Sequence, residues 1–249
     1  MTTFPDDRET PRLELTARYL SALGAEAETT GLTPSALSRA VVRILPVDAA
    51  GVTTLVTVLR VPLGASNDAA RTAEELQTSL GLGPCLSAAE TKAALAADLD
   101  EIAARWPLYS AELVRRTPFR SVASVPLSSP GWGVFAALDL YGEDSRLSPA
   151  LDLAQVEHLA APLAALLTTC IAQVHHDEAP DELPAWYRSA AGRRNDVWVA
   201  IGMVMAVRGG HNRDALSLLR AHAYGQDSGL DDVAADVVHG RLPVTELTG

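Results

Sequence analysis

Strand-like segments occur only in the middle of this chain, and this restriction limits the folds that it can adopt. Runs of β-branched and aromatic residues predict three strands, at Gly51–Val61, Ser121–Leu127 and Gly133–Tyr141. The last two flank the turn Ser128-Ser-Pro-Gly131, which predicts an antiparallel hairpin. After Pro149 the apolar residues recur only at helical spacing. The pattern therefore predicts an N-terminal α+β domain followed by an all-α domain.

Helices are predicted on both sides of these strands. Thr33 precedes Pro34 in the arrangement typical of a helix N-terminus, and a second helical stretch covers Arg71–Leu80. The longest helix is predicted from Pro149 to Val174, with apolar residues at alternating short helical spacings. This apolar seam contains Leu153, Val156, Ala160, Leu163 and Leu167. Two interpretations stay open: the seam forms a coiled-coil homodimer, or it packs on the sheet of its own domain.

The overall composition is that of an acidic globular protein. Of the 249 residues 48% are hydrophobic, and the formal net charge is −11, which excludes a free-standing basic nucleic-acid binder. Cys85 and Cys170 do not form the pattern of a secreted disulfide framework. Met1–Leu20 lacks the apolar core of a signal peptide, and no apolar run reaches membrane-spanning length. We therefore expect a cytoplasmic protein of two domains with no membrane partner.

The basic residues are distributed unevenly along the chain. Residues 175–187 form an acidic linker that contains no Lys or Arg. Residues 193–222 contain five arginines against two aspartates, which is a local surplus of three positive charges. These arginines are Arg193, Arg194, Arg208, Arg213 and Arg220. Such a surplus favours contact with phosphate groups, and an ordinary solvated surface is the alternative.

The C-terminal sequence has a recognisable layout of motifs. In order along the chain these are Ala200-Ile-Gly-Met-Val-Met205, Arg208-Gly-Gly, Ala215-Leu-Ser-Leu-Leu-Arg220 and Leu230-Asp-Asp-Val-Ala234. In their order and spacing, residues 188–243 resemble the ANTAR domain, an RNA-binding module of transcription antiterminators. The resemblance implies an all-α three-helix bundle that binds RNA hairpins, usually as a dimer. It is followed here by a tail at 244–249.

The ANTAR resemblance also implies which residues contact RNA. Phosphate contacts are expected from the five arginines named above, and Tyr224 is an aromatic residue that can stack on an unpaired base. The chain departs from the family at two positions. It has Ile201 where Lys is common, and Leu216 where an aromatic residue is common.

A second resemblance covers residues 32–174. Its motifs are Leu76-Gln77, Gly81-Leu-Gly-Pro-Cys-Leu-Ser-Ala88, Asp98-Leu99, Arg105-Trp-Pro107, Arg120-Ser-Val122, Val125-Pro-Leu127 and Gly133-Val-Phe-Ala-Ala-Leu-Asp-Leu-Tyr141. They resemble the GAF domain, which implies an α+β fold with an antiparallel sheet, flanking helices and a pocket for an unknown small-molecule ligand. The residues expected at that pocket are Cys85, Trp106, Phe119, Asp139 and Tyr141. Residues 1–31 are then an N-terminal extension.

Signatures of catalysis are missing from the sequence. It contains no phosphate-binding loop, no zinc-ligand spacing and no serine nucleophile motif, so we expect no enzyme, no metal and no evident cofactor. The favoured function is a signal-responsive RNA-binding regulator of transcription antitermination, gated by the GAF domain. One alternative is a dimerisation and protein-interaction module without RNA binding, which Ile201 favours. Another is an enzyme that uses Cys85, which the lack of a second cysteine near the pocket disfavours.

Overall fold

A computed structural model of the protein describes residues 9–55, 60–174 and 184–248. The described helices are α1 (Glu9–Thr30), α2 (Pro34–Ile44), α3 (Asp68–Leu80), α4 (Pro84–Thr91), α5 (Leu99–Arg105), α6 (Pro107–Arg116), α7 (Leu153–Ala172), α8 (Ala185–Arg208), α9 (Asn212–Gly225) and α10 (Leu230–Val238). The described strands are β1 (Ala49–Thr54), β2 (Val61–Ala65), β3 (Leu95–Ala97), β4 (Ser121–Ser129) and β5 (Gly133–Gly142). A 3-10 turn at Val244–Glu246 follows the last helix.

The strands form one antiparallel sheet in the order β2-β1-β5-β4-β3. The predicted hairpin is confirmed, because β4 pairs with β5 from Ser121 opposite Gly142 to Ser129 opposite Gly133. The prediction of one continuous strand at Gly51–Val61 is wrong. Strand β1 ends at Thr54 and β2 begins at Val61, and these two strands pair with each other.

The two faces of the sheet are covered by different helices. Successive strand residues point to opposite sides, so Ala136, Leu138 and Leu140 of β5 join one apolar cluster together with residues of α1, α2 and α7. We call this side the apolar face. The alternate β5 residues Asp139 and Tyr141 point to the side covered by α3, α4, α5 and α6, which we call the α3 face.

The long helix α7 uses its apolar seam inside its own domain. Val156, Leu163 and Leu167 are fully buried in the apolar cluster, and Leu153 and Ala160 are partly buried against it. In this structure the seam packs on the sheet of its own domain, as the second interpretation has it. A homodimer through these five residues stays a prediction.

Helix α7 has two further properties. It contains Pro162 without being interrupted, although proline removes one main-chain donor. By length and composition it is also the described helix that is apolar enough to cross a membrane. Its buried side lies against strand β4, so this side is occupied by the sheet.

The N-terminal segment contributes to the same core. Helix α1 lies within the residues assigned to an N-terminal extension, yet its Leu15, Tyr19 and Leu23 are buried in the apolar cluster. Helix α2 begins as predicted, because Thr33 Oγ1 accepts a hydrogen bond from the backbone N–H of Ala36 at 3.1 Å.

Helices α8, α9 and α10 form a three-helix bundle with an apolar core of its own. Val197, Ile201, Leu219 and Val237 are among the residues that fill it. Ile201 is 3% exposed, so the position at which the ANTAR family commonly has Lys points into the bundle here. The acidic linker predicted at 175–187 lies mostly outside the described residues, and α8 begins within its last positions.

Candidate functional site

Six fully buried side chains with polar groups meet on the α3 face of the sheet, and we name them the polar cluster. They are Thr53, Glu74, Gln77, Ser124, Asp139 and Tyr141. Strand pairing positions one carboxyl group of this cluster. Asp139 lies on the central strand β5, in register with Gly51 on β1 and with Ser124 on β4. The carboxylate therefore sits in the middle of the sheet with a small residue on either side.

Helix α3 supplies the second carboxyl group. Glu74 is fully buried and accepts hydrogen bonds from Thr53 Oγ1 at 2.5 Å and from Tyr141 Oη at 2.7 Å. Its place depends on Gly51, because a Cβ atom added there would lie 2.4 Å from Glu74 Oε1. The glycine in β1 thus makes the room that the glutamate of α3 occupies.

Gln77 connects the two carboxyl groups to the neighbouring helix. It lies three residues after Glu74, on the same side of α3. Its Nε2 donates to Asp139 Oδ2 at 2.7 Å and to Tyr141 Oη at 3.2 Å, and its Oε1 accepts from the backbone N–H of Cys85 at 2.9 Å. Ser124 Oγ also donates to Asp139. Both carboxyl groups are therefore surrounded by neutral hydrogen-bond donors.

Burial changes the proton affinity of both carboxyl groups. Loss of hydration raises the pKa of Asp139 to about 6, against hydrogen bonds from Ser124 and Gln77 that act in the opposite direction. Burial raises the pKa of Glu74 well above its usual range, and the negative charge of Asp139 raises it further. The pair therefore keeps one proton on Glu74 when Asp139 is ionised, because two adjacent buried carboxylates repel each other.

The five residues predicted to border a ligand pocket all lie on the α3 face. Phe119 and Tyr141 stack with ring centroids 4.8 Å apart, and Trp106 belongs to the same apolar cluster. Asp139 lies in the polar cluster, and Cys85 contacts its edge through Gln77. All five are at most 7% exposed, so the structure brings them together as a packed interior.

Cys85, expected at the ligand pocket, lies at the start of a helix. Gly83 and Pro84 start helix α4, which places Cys85 in the first helical turn, and its side chain is fully buried. Burial raises the pKa of the Cys85 thiol well above its usual range, and the charges of Asp139 and Glu74 add to this effect. Because the thiolate is the reactive form of cysteine, this environment suppresses nucleophilic and redox chemistry.

Two of the arginines predicted to bind RNA contact the N-terminal domain instead of solvent. Arg194 is 3% exposed, and its Nη2 donates to Thr78 Oγ1 of α3 at 2.6 Å. Its Nη1 also lies 3.3 Å from Asp231 Oδ1 within the bundle. Arg220 is half-buried, and its Nη2 donates to the carbonyl oxygen of Thr78 at 2.9 Å.

The other predicted RNA-binding residues are more accessible. Arg208 is exposed, and its Nη2 donates to carbonyl oxygens of the C-terminal segment at 2.9 to 3.1 Å, which fastens that segment to the end of α8. Arg213 is exposed, and Tyr224 is 52% exposed. The side chain of Arg193 lies outside the described part of the chain.

Further contacts join the bundle to the N-terminal domain. Arg115 of α6 forms a two-point ion pair with Asp227, with N–O distances of 3.1 and 2.5 Å. Beside it, a cleft of about 270 Å³ separates α3 and α6 from the α9–α10 turn. Its lining includes Glu75, Glu112, Arg220 and Asp232. Among the described residues, no group of three or more His, Cys, Asp or Glu side chains is placed to hold a metal ion.

Several of these residues were not predicted from the sequence. Glu74, Thr53 and Ser124 complete the polar cluster, and Thr78 receives both arginines. A usable signal existed in α3, where Glu74 and Gln77 occur among the buried positions of an amphipathic helix. Polar residues on a buried side require partners, and this requirement points to a network without naming its other members.

The fold and the polar cluster define an α+β domain with a closed polar site under one face of its sheet. A family model described as GAF domain matches residues 27–168, which is more than half of the chain. The chain belongs to the GAF domain family. No curated protein matches the chain. Membership indicates a role in signal sensing or regulation, and domains of this family bind small-molecule ligands.

The solved structures to which this chain is similar are distant in sequence. The GAF domain region of a protein from Geobacter sulfurreducens PCA has a TM-score of 0.39 and 20% identity, over 63% of this chain and 99% of that one. The GAF domain of a phosphoenolpyruvate-protein phosphotransferase from Coxiella burnetii has a TM-score of 0.44 and 17% identity, over 63% and 96%. SdiA in complex with octanoyl-rac-glycerol has a TM-score of 0.45 and 11% identity, over 95% and 96%. Family membership rests on the family model and not on these likenesses.

Proposed function

We propose that this chain is a cytoplasmic, non-catalytic regulator in which the GAF domain controls RNA binding by the C-terminal bundle. The bundle acts in transcription antitermination, by preferring one RNA hairpin arrangement over a competing one. Such a preference changes the population of RNA folds without any covalent step. The observation that carries the proposal is the position of Arg194 and Arg220, which makes the basic residues of the bundle depend on the state of the GAF domain.

The bundle has the properties that this role requires. The apolar core of the bundle is separate from that of the GAF domain, while Trp186 at the start of α8 packs against the GAF core. Arg208 and Arg213 are exposed on it, and Tyr224 presents an exposed ring. Guanidinium groups bind phosphate oxygens in a planar two-point geometry, and an aromatic ring stacks on bases that are not paired.

The GAF domain supports a role in sensing without catalysis. Its candidate nucleophile, Cys85, is buried and has a raised pKa. Neutral donors hold its two buried carboxyl groups. Ligand binding or protonation can disrupt these hydrogen bonds at a lower free-energy cost than breaking a buried ion pair. The ligand is expected to act where Asp139 and Glu74 meet.

RNA binding is tested with the full chain and a synthetic RNA of two tandem stem-loops. Fluorescence anisotropy is measured from low to physiological salt, and we expect an affinity that falls steeply with salt because bound counterions are released. Arg213→Ala is expected to weaken binding and to lower the salt slope by roughly one, the loss of about one phosphate contact.

The matched control is Arg241→Ala. Arg241 is also an exposed arginine of the C-terminal region, but it is paired with Asp236 and lies outside the segment with the basic surplus. The control should bind RNA as the parent chain does. If the chain and its variants bind no stem-loop even at low salt, the RNA-binding proposal is rejected.

A second candidate function is a protein-interaction module. Trp198 and Val199 are 41% and 42% exposed on α8, and Val207 is 58% exposed. Exposed apolar side chains on one helix are available for contact with another protein. This function predicts that the chain binds no tandem stem-loop RNA, and that Trp198→Ala abolishes a protein complex whereas Arg213→Ala leaves that complex intact.

A further inference from the structure

Helix α3 has two sides that contact different parts of the molecule. Toward the sheet it carries Glu74 and Gln77, which hold the polar cluster together. Toward the bundle it carries Thr78, which is fully buried and binds both Arg194 and Arg220. Only one residue step separates Gln77 from Thr78, so a shift of the helix end moves both sets of contacts at once.

The contact between Thr78 and the arginines needs a defined backbone at the end of α3. Gly81 ends the helix in the left-handed region with φ 71°, and its N–H donates to the carbonyl oxygen of Gln77. The guanidinium of Arg220 lies directly over this glycine, since an added Cβ would lie 2.4 Å from Arg220 Nη1. Arg220 therefore packs on backbone that a side chain at position 81 would cover.

The closed contact leaves Arg220 less well neutralised than a phosphate group would. Arg220 donates to a neutral carbonyl oxygen in this structure, whereas Arg194 also has the carboxylate of Asp231 beside it. Burial of Arg220, followed by the positive charges of Arg60 and Arg194, lowers its pKa to about 10. Hydrogen bonds from a guanidinium to an anion are stronger than those to a neutral oxygen. RNA phosphate therefore competes favourably for Arg220 once this side chain can leave the GAF domain.

We infer that Arg194 and Arg220 form an intramolecular latch, which the end of α3 closes and which a change in the polar cluster opens. In the closed chain the latch keeps both side chains from RNA. The inference rests on the proposed function, and it assigns the coupling between sensor and bundle to α3. The long helix α7 does not take part in the latch, because its buried side faces the opposite side of the sheet.

The latch is tested in the full chain with one substitution at two places on α3. Thr78→Val removes the hydroxyl that accepts from Arg194 Nη2, so Arg194 loses its hydrogen bond to α3. The matched control is Thr72→Val, where the hydroxyl donates to the carbonyl oxygen of Asp68 in the same helix. We expect Thr78→Val to raise the rate of amide hydrogen exchange in the first turns of α8 by about tenfold. The reason is that the variant loses a hydrogen bond to a charged guanidinium group.

The RNA affinity of these variants separates the two proposals. Thr78→Val should bind the tandem stem-loop RNA several times more tightly than the parent chain, and Thr72→Val should not differ from it. The latch is overturned if amide hydrogen exchange in α8 is the same in Thr78→Val as in the parent chain. It is also overturned if exchange in α8 rises but the RNA affinity of Thr78→Val equals that of a parent chain that binds RNA. An open bundle in a chain that never binds RNA supports the latch contact and rejects the RNA function.

The coupling to the polar cluster is tested by Gln77→Glu. This change keeps the side-chain shape and adds a third buried acid next to Asp139. We expect faster exchange in α8 and tighter RNA binding, in the same direction as Thr78→Val. Thr72→Val, which alters α3 outside the polar cluster, should leave α8 unchanged. If Gln77→Glu and the uncharged Gln77→Leu, which cannot form the hydrogen bonds of Gln77, both leave α8 exchange at the parent value, the coupling through α3 is overturned.

Discussion

On the apolar face of the sheet, Leu138 and Leu140 of β5 pack among side chains of α1, α2 and α7. On the α3 face, the alternate residues Asp139 and Tyr141 of the same strand meet the polar side chains of α3. Both faces are fully buried, so the difference is one of chemistry. An apolar contact has almost the same free energy at every pH, whereas buried carboxyl groups make the fold sensitive to protons and to ligands.

The largest expected effect on the free energy of unfolding comes from a substitution on the apolar face. Leu163→Ala removes a fully buried side chain of α7 and leaves a cavity, so the free energy of unfolding should fall by about 2 to 5 kcal/mol. Chemical denaturation at several pH values checks this result. The loss should be the same at each pH, and a loss that varies with pH would contradict the proposed difference between the faces. Leu13→Ala, at a site that is 66% exposed, is the control with little change.

The next largest effect is on the pH dependence of the free energy of unfolding, and it comes from the α3 face. Because the pKa of Asp139 is raised from 3.8 to about 6 by folding, its contribution to stability is present below 3.8 and is lost as the pH rises through 6. The loss amounts to about 3 kcal/mol for a shift of this size. Asp139→Asn should remove the part of this dependence that is due to Asp139, seen as a flatter plot of unfolding free energy between pH 4 and pH 8, and the part due to the raised pKa of Glu74 should remain. Parallel plots for the two chains would show that Asp139 is not the responsible group.

A smaller effect compares two buried tyrosines. Tyr141→Phe keeps the ring stacked on Phe119 but removes the hydroxyl that donates to Glu74, which should cost about 1 to 2 kcal/mol. On the apolar face, the hydroxyl of Tyr19 is buried without a hydrogen-bond partner among the described residues. Tyr19→Phe should therefore be neutral or slightly stabilising. Equal losses for both variants in denaturation experiments would remove the distinction between the faces.

The smallest effect has the opposite pH dependence. Glu26 of α1 forms ion pairs with Arg39 and Arg43 of α2, at 2.6 and 2.5 Å, beside the apolar face. The hydrogen bond from Arg39 is the main cause that lowers the pKa of Glu26 from 4.5, so its contribution is present above 4.5 and is lost as the pH falls. Glu26→Gln should cost about 1 kcal/mol or less at neutral pH and nothing in strong acid. A larger cost in acid than at neutrality would contradict this assignment.

Predictions from the sequence were correct where nearby residues alone determine the local structure. The hairpin of β4 and β5 and the cap at Thr33 follow from nearby residues, so both were predicted. The five expected pocket residues lie on one face of the sheet, because the family motifs and strand alternation place them there. The strand predicted through Val61 fails because β-branched residues on both sides of a break look continuous in sequence.

The polar cluster and the latch were not predictable in the same way. Glu74 and Asp139 are far apart in sequence, and only the register of β1 and β5 shows that they meet beside Gly51. Arg194 and Arg220 carry the charge expected of an RNA-binding surface, but their charge does not reveal which residues they contact. The contact with Thr78 depends on how the two domains pack, which no local pattern encodes.

The side chain of Glu74 fills the space that a side chain at position 51 would need. A methyl group at position 51 would overlap the glutamate side chain, so a larger residue there requires a shorter one at position 74. We expect the two positions to vary together across the family. Relatives that keep the glycine opposite a long acid can then be recognised as carrying an internal carboxyl pair, before any of their structures is known.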